Sequence, residues 1–423
     1  MNSRKTRFVS LWSLLALIPI LVTLPEYAEE ASNTRYDMRL KFFGSAAFLP
    51  KDDLQRFLDD SPALDLNLDA RFMWKHNRGG WSFSLESSVN YSAGDSLPFT
   101  GAPQTTLDQF PADDDFRLVN LTTEISTGEH HRTIHRFDRA SVSYQTDNWS
   151  ITAGRQALSW GSGIVFQPLD LFSPFAPTTV DRDYKAGDDM LNIEYLFANS
   201  SDVQVVSVMR RNEQHNYQWD ASSTGLKWHG FVNESEVEII VGKHYRDEIL
   251  GLSLRTPLGG ALVRTDVLIT HLDTGGTRLS GVVNLDYSFA WKERSVYLFG
   301  EYYHNGFGTH SNPVELDDLS TELVARLQRG EVFNLQRDYL AAGFQIQWHP
   351  LVSQSTTLIT SFDDMSSLLQ LSINYEPGDH QRFQLGVIEP LGAGGDEFGG
   401  LTVLPGFTTG GGTRLYVRYL YFF

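Results

Sequence analysis

Apolar and polar residues alternate with period two along most of the chain. Leu64, Leu66, Leu68, Ala70, Phe72 and Trp74 fall on one face of an extended segment, and Asp65, Asn67, Asp69 and Arg71 on the other. Trp81, Phe83, Leu85, Val89 and Tyr91 oppose Ser82, Ser84, Glu86, Ser88 and Asn90 in the same way. Further along, Val237, Ile239 and Val241 oppose Glu236 and Glu238, and Leu369, Leu371, Ile373 and Tyr375 oppose Gln370, Ser372 and Asn374. Side chains of a strand point alternately to its two faces, so these segments are two-faced strands.

A half-buried soluble sheet would share that pattern. Strand length separates the two readings. Many segments run to about ten residues, enough for a tilted strand to cross the hydrocarbon core, whereas soluble strands average about five or six. Trp74, Trp81, Trp149, Trp291 and Trp348 mark strand ends, where aromatic girdles meet the membrane interfaces. After Leu24 no apolar run reaches the roughly 18 residues of a spanning helix. Lipid offers backbone groups no hydrogen-bond partner, so a spanning sheet must close on itself.

Short turns at 77–80, 146–148, 198–201, 232–234, 256–259, 292–294, 349–354 and 376–380 alternate with longer connections near 93–132, 160–187, 213–220, 305–337 and 392–412. That alternation fits periplasmic turns and external loops. The expected fold is all-β: a single transmembrane antiparallel barrel of about 18 strands, with about 16 to 20 open. The range stays open because 116–126 could pair with a neighbour as a hairpin within an external loop. Leucines at 316, 319, 323 and 327 predict a short helix within 315–328.

Arg4, Lys5 and Arg7 precede an apolar run at 11–24, the pattern of an export signal. The expected division is a signal peptide at 1–28 and an outer-membrane barrel at 29–423. Ala28 is the candidate cleavage residue, although Glu26 stands where a small residue is expected. The absence of Cys removes disulfide and thiolate chemistry. A formal charge of −18 argues against nucleic acid as a partner.

The densest candidate site is the connection at 154–185, read as a loop folded into the barrel. Arg155, Gln156 and Trp160 lead into a Phe- and Pro-rich stretch containing Asp170, and Asp181, Arg182, Asp183 and Lys185 close it. So much apolar surface would be costly on an external loop, and it points inward instead. These eight residues are the expected constriction, where charged groups set solute preference. Ion pairs that pin the loop to the wall are the equally weighted, compatible reading. Strict alternation from Trp149 points Arg155 at lipid, and a bulge could re-aim it. Arg71, Arg139, Arg210, Arg255, Arg264, Asp266, Glu236 and Glu238 are expected to line the lumen.

The Gly-Arg-Gln of 154–156, the Trp-Gly of 160–161 and the Pro-Leu-Asp-Leu-Phe-Ser-Pro of 168–174 resemble porin-like barrels of the alginate-export and related uncharacterised families. The closing strand adds to the resemblance, with Val417, Tyr419, Tyr421 and Phe423 alternating up to the terminal aromatic. The resemblance implies a Gram-negative outer-membrane barrel, a closing strand read by the barrel-assembly machinery, and a passive route narrowed by the loop. The loop itself lacks the Arg- and Lys-rich lining that a polyanion would require.

No Gly-x-Ser-x-Gly elbow, phosphate loop or dinucleotide fingerprint appears in usable context, so no enzyme, cofactor or metal site is expected. His130, His131 and His135 form the one histidine group weighed as a metal site and set aside. The expected function is passive passage of a small, hydrophobic or amphipathic solute. The alternative is a non-conducting structural or export-complex barrel working with a periplasmic partner. Outer-membrane lipid and lipopolysaccharide are the expected surroundings, and the oligomeric state is left open.

Overall fold

The computed structural model describes residues 33–58, 61–99, 114–180, 184–212 and 214–423. The export signal at 1–28 and the loop residues Asp181, Arg182 and Asp183 lie outside the described residues.

Among the described residues twenty-one strands follow in chain order. They are β1 (Thr34–Phe48), β2 (Ala63–Arg78), β3 (Trp81–Gly94), β4 (Thr122–Gly128), β5 (His131–Gln145), β6 (Trp149–Gln156), β7 (Asp188–Leu196), β8 (Asp202–Val208), β9 (Ser223–Val232), β10 (Ser235–His244) and β11 (Asp247–Leu258). After these come β12 (Ala261–His271), β13 (Thr277–Trp291), β14 (Arg294–His304), β15 (Asp338–His349), β16 (Val352–Ser361), β17 (Ser367–Gly378), β18 (Gln381–Leu391), β19 (Leu401–Leu404), β20 (Phe407–Thr409) and β21 (Thr413–Phe422). The helices are α1 (Leu54–Leu58) and α2 (Thr321–Gln328). The Ser320 side chain accepts the Leu323 N–H at 3.2 Å and so caps α2.

Every pairing in the main sheet is antiparallel, and β21 returns to pair with β1, which closes the ring. The sheet holds 19 strands, and β4 pairs only with β5, so the closed barrel has 18. Among the described residues no helix is long and apolar enough to cross a membrane.

The two faces separate as the alternation requires. Asp65, Asn67, Asp69 and Arg71 of β2 are buried inside, while Leu64 and Phe72 are exposed outside. Leu250, Leu252 and Leu254 of β11 and Val283, Leu285 and Tyr287 of β13 stand exposed on the outer surface. An apolar band of that extent is stable only against lipid. At the short-turn end the rings pair: Trp81 with Tyr144 at 4.9 Å, Trp149 with Tyr195 at 4.7 Å, and Phe383 with Tyr419 at 4.6 Å between centroids.

Three strands near the inner loop are short: β6 has 8 residues, β7 has 9 and β8 has 7. β6 covers only the lower edge of β5, at 140–145, and then leaves the wall. The upper edge of β5, at 131–136, is taken by β4, which arrives from the connection after β3. Of the 116–126 region, the part from Thr122 onward is thus a hairpin partner within the long connection. The long loops pack together over the mouth: Leu272, Phe307 and Leu323 form one buried cluster, and Val314, Leu335 and Leu401 another.

Candidate functional site

The connection from β6 to β7 crosses the barrel interior. Trp160, Leu169, Leu171 and Phe172 pack with Met190, Val206, Ile240, Ile249 and Leu268 of the wall. Val165 and Phe166 join a second cluster with Val282, Tyr303, Tyr339 and Ile359, and the Phe166 ring stacks on Tyr303 at 4.4 Å. Full burial of such side chains is worth about 1.5–3 kcal/mol each. The wall strands that receive them therefore carry Ile, Val and Leu on the lumen side, where polar residues would otherwise face water.

Two wall carboxylates hold the loop backbone. Glu301 of β14 accepts the N–H groups of Ile164 at 2.7 Å, Val165 at 3.0 Å and Phe166 at 2.7 Å. Asp266 of β12 accepts the N–H of Ser162 at 2.6 Å, that of Gly163 at 3.1 Å and the Ser162 hydroxyl at 2.8 Å. Both carboxylates are essentially inaccessible to solvent. Asp266 belongs to the expected lumen set, but Glu301 was not singled out from sequence. The signal available was one acid on the inward face of the aromatic run at 297–304.

At the far end, the Lys185 ammonium donates to Asp170 at 2.5 and 2.7 Å, to the Leu158 carbonyl at 2.5 Å and to Ser159 at 2.8 Å. This ties the closing residues of the loop to its beginning. Burial pushes the Asp170 carboxyl up and the Lys185 ammonium down, each opposed by the attraction of its partner. Asp170 is 3 % exposed, so it presents no oxygen to a solute. The pair joins two parts of the loop to each other and does not reach the wall.

Tyr184 gathers one set of arginines. Its ring lies under the Arg71 guanidinium at 3.5 Å and the Arg139 guanidinium at 4.6 Å, and its hydroxyl donates to Glu86. Arg139 also donates to the Lys185 carbonyl at 2.7 Å. Arg39 pairs with Asp69 and Arg71 with Asp138, while Arg139 donates to the Asp138 backbone carbonyl at 2.8 Å.

Arg155 is 2 % exposed and does not reach the lumen. It forms a fork on Asp189 at 2.9 and 3.0 Å, reaches Asp114 at 2.8 Å and donates to the Val119 carbonyl at 2.6 Å. Gly154, at φ +116, turns the backbone just before it, and β5 carries a bulge at Asp138 beside it. The residue is closed over by the segment at 114–121, an ion-pair seam that also joins Arg117 to Asp114 and Arg210 to Asp188. The guanidinium groups of Arg155 and Arg117 outweigh burial and hold the Asp114 carboxyl down at about 2. Gln156 donates to backbone carbonyls of Thr152 and Met190 at 3.2 and 3.3 Å.

Among the remaining residues of the expected lumen set, Arg255 donates to Glu236 at 2.8 Å, Glu238 at 3.4 Å and the Gly161 carbonyl at 3.2 Å. Arg264 pairs with Asp286. Both arginines keep their partners on neighbouring strands of the inner wall.

Three cavities surround the inner loop. On the long-loop side, one of about 50 Å³ is lined by Phe166, Phe175, Phe307, Phe333, His244 and Arg326. A second of about 80 Å³ is lined by Leu368, Ile388, Phe398 and Arg414. On the short-turn side, a cavity of about 470 Å³ is lined by Tyr297, Phe299, Gln370, Asn374, Gln384 and Tyr416. Pro177 lines all three, so the loop edge around 176–180 is the partition between the two ends of the barrel.

This architecture is that of the outer-membrane porins. Solved structures similar to it include Acinetobacter baumannii OccAB2 (TM-score 0.52, 9% identity, covering 92% of this chain and 98% of that one). A BenF-like porin from Pseudomonas fluorescens is similar at TM-score 0.51 and 9% identity, over 92% of this chain and 98% of that one. Pseudomonas aeruginosa OpdK, in a structure with vanillate, is similar at the same TM-score of 0.51 and 9% identity, with 92% and 98% covered. No family model and no curated protein matches the sequence. The shared fold is that of a porin-type barrel, and the alginate-export resemblance rests on the loop and closing-strand sequence alone.

Proposed function

We propose that the chain is an outer-membrane channel for passive passage of a small amphipathic solute, through the gap between the 176–180 edge of the inner loop and the wall of β16–β18 and β21. The observation that carries this reading is Pro177, which lines the cavities on both sides of the loop. Aromatic and apolar side chains accompany hydroxyl and amide groups along the route, a lining suited to a solute with both characters. Arg414 lines the passage beside Pro177, and its Nη1 has no hydrogen-bond partner among the described residues. Asp65 balances part of the Arg414 charge, and the unfilled Nη1 donor favours an anionic group on the solute. Vanillate, present in one similar structure, is a fitting probe. Val417, Tyr419 and Tyr421 lie on the strand that closes the ring, with Phe423 directly after it, which suits a role as the handle for barrel assembly.

Planar-bilayer recording tests the reading. Discrete conductance steps are expected from the full mature chain, with millimolar vanillate reducing the current. Arg414→Gln is expected to lower the preference for anions. A steady closed baseline would overturn the channel in favour of a filled structural barrel. Unchanged selectivity in Arg414→Gln would remove that residue from the route.

A further inference from the structure

On the outside of the barrel, where β14 and β15 emerge on the long-loop side, two imidazoles meet two carboxylates. His304 and Asp338 are opposite one another across the strand pair, in the outward row that contains the exposed Tyr302 and Leu340. His310 comes from the loop after β14, and Asp363 from the turn between β16 and β17. The potential ligand atoms of His310, Asp338 and Asp363 all lie within 4.8 Å of one another.

The carboxylates are held in place by groups other than each other's histidines. Asp363 Oδ2 accepts the backbone N–H of Arg337 at 3.0 Å and of Asp338 at 3.2 Å, which leaves Oδ1 directed at His310 Nδ1, 2.5 Å away. Asp338 Oδ1 accepts the Tyr302 hydroxyl at 2.6 Å and contacts His304 Nδ1 at 2.8 Å. Its Oδ2 is not used in those contacts. Hydrogen bonds of this kind orient metal-ligating carboxylates and fix their free oxygens.

We propose that His310, Asp338 and Asp363 bind a divalent transition-metal ion of borderline softness, Zn²⁺ being the ion the donor set fits best. Zinc takes imidazole nitrogen and carboxylate oxygen at about 2.0–2.2 Å in a tetrahedral shell. Two such ligand atoms stand about 3.4 Å apart, so on binding His310 Nδ1 and Asp363 Oδ1 move apart from 2.5 Å while the wider pairs, within 4.8 Å, draw together, and the exposed His310 ring supplies that movement. Calcium and magnesium prefer all-oxygen sets and are poorly served by an imidazole. His304 stands behind Asp338 as its positioning partner, with water completing the shell. Ordinary His–Asp ion pairs are the competing account. They explain each pair singly, but not why the two pairs meet, which brings both carboxylates and His310 within 4.8 Å of one another, an arrangement whose carboxylate repulsion a dication relieves. The bound ion would staple the loop at 305–337 to the turn at 361–367 on the membrane-facing rim, away from the passage.

The test uses the full chain, folded in detergent and stripped with chelator. Isothermal titration with Zn²⁺ is expected to show one site of about micromolar or tighter affinity. Co²⁺ in its place is expected to give visible absorption of a four- or five-coordinate ion; because the chain has no Cys, thiolate bands cannot confuse it. His310→Ala, which removes one exposed side chain, and Asp363→Asn are each expected to weaken binding at least about tenfold. His131→Ala, in the separate histidine group, is expected to leave it unchanged, and a hundredfold excess of Mg²⁺ is expected not to compete. Folding is checked for every variant by the mobility of the unheated barrel on a gel. Binding unaffected by His310→Ala in a folded barrel, or no saturable binding below about 100 μM Zn²⁺, overturns the proposal.

Discussion

The indole of Trp160 stands on Gly225: a Cβ built on that glycine would lie 2.7 Å from the ring's Cη2. Gly251 makes the same allowance for Leu169, whose Cδ2 would be 2.8 Å away. The inner loop is therefore seated in two dents of the wall, and the Trp160 N–H is completed by Gln204 at 2.7 Å. Gly225→Val fills the first dent. Overpacking of this kind costs about 1–3 kcal/mol, and the loop is the softer partner. Limited proteolysis is expected to cut within 157–187 in the variant and not in the wild type, with the barrel still folded. Equal resistance in both would show that the dent does not seat the loop.

Glu301 supplies the acceptor for three successive loop amides. Glu301→Ala leaves the N–H groups of Ile164, Val165 and Phe166 without it, and an unsatisfied buried donor costs about 1–3 kcal/mol. Hydrogen exchange at these three amides is expected to accelerate at least about tenfold in the Ala variant and by less in Glu301→Gln, which keeps one acceptor oxygen. Exchange as slow in Glu301→Ala as in the wild type would remove the clamp.

Asp114 gives a pH dependence with a definite sign. Its carboxyl titrates at about 2 in the folded chain, below its ordinary value of 3.8. The folded state therefore holds the proton less tightly, and the stabilisation is complete above about 4 and lost as the pH falls through about 2. The difference corresponds to about 2 kcal/mol of docking for the segment at 114–121. Hydrogen exchange in this segment, corrected for intrinsic rates, is expected to rise between pH 4 and pH 2, and Asp114→Asn is expected to raise it already at pH 7. A wild-type profile flat across that interval would dissociate Asp114 from docking.

The barrel was legible because burial on one face and lipid on the other leave a period-two record in nearly every strand. The same record gives only part of the place of Arg155. Strict alternation sends it toward lipid, and the structure keeps its parity but covers it with residues from 114–121, a long-range pairing that leaves no local trace. Asp170 and Lys185 stood out as opposite charges, yet only the fold shows that they reach each other and so close the loop's base. Gly225, Gly251 and Glu301 passed unremarked, since a glycine that receives an indole looks like any other strand glycine. The loop edge at 176–180 is likewise defined by what lies across from Pro177, on strands more than a hundred residues away in sequence.

The borrowed strand β4 binds two parts of the molecule that a simple cylinder would keep separate. The root of the inner loop, at Arg155, shares its carboxylate Asp114 with the segment that completes the wall beside β5. A displacement of the loop upward would draw on that seam, and a loosened seam would free the loop's anchor. In the proposed channel the width of the opening and the integrity of the wall would be mechanically one property, so that a mutation far out in the connection after β3 would alter what passes through the centre.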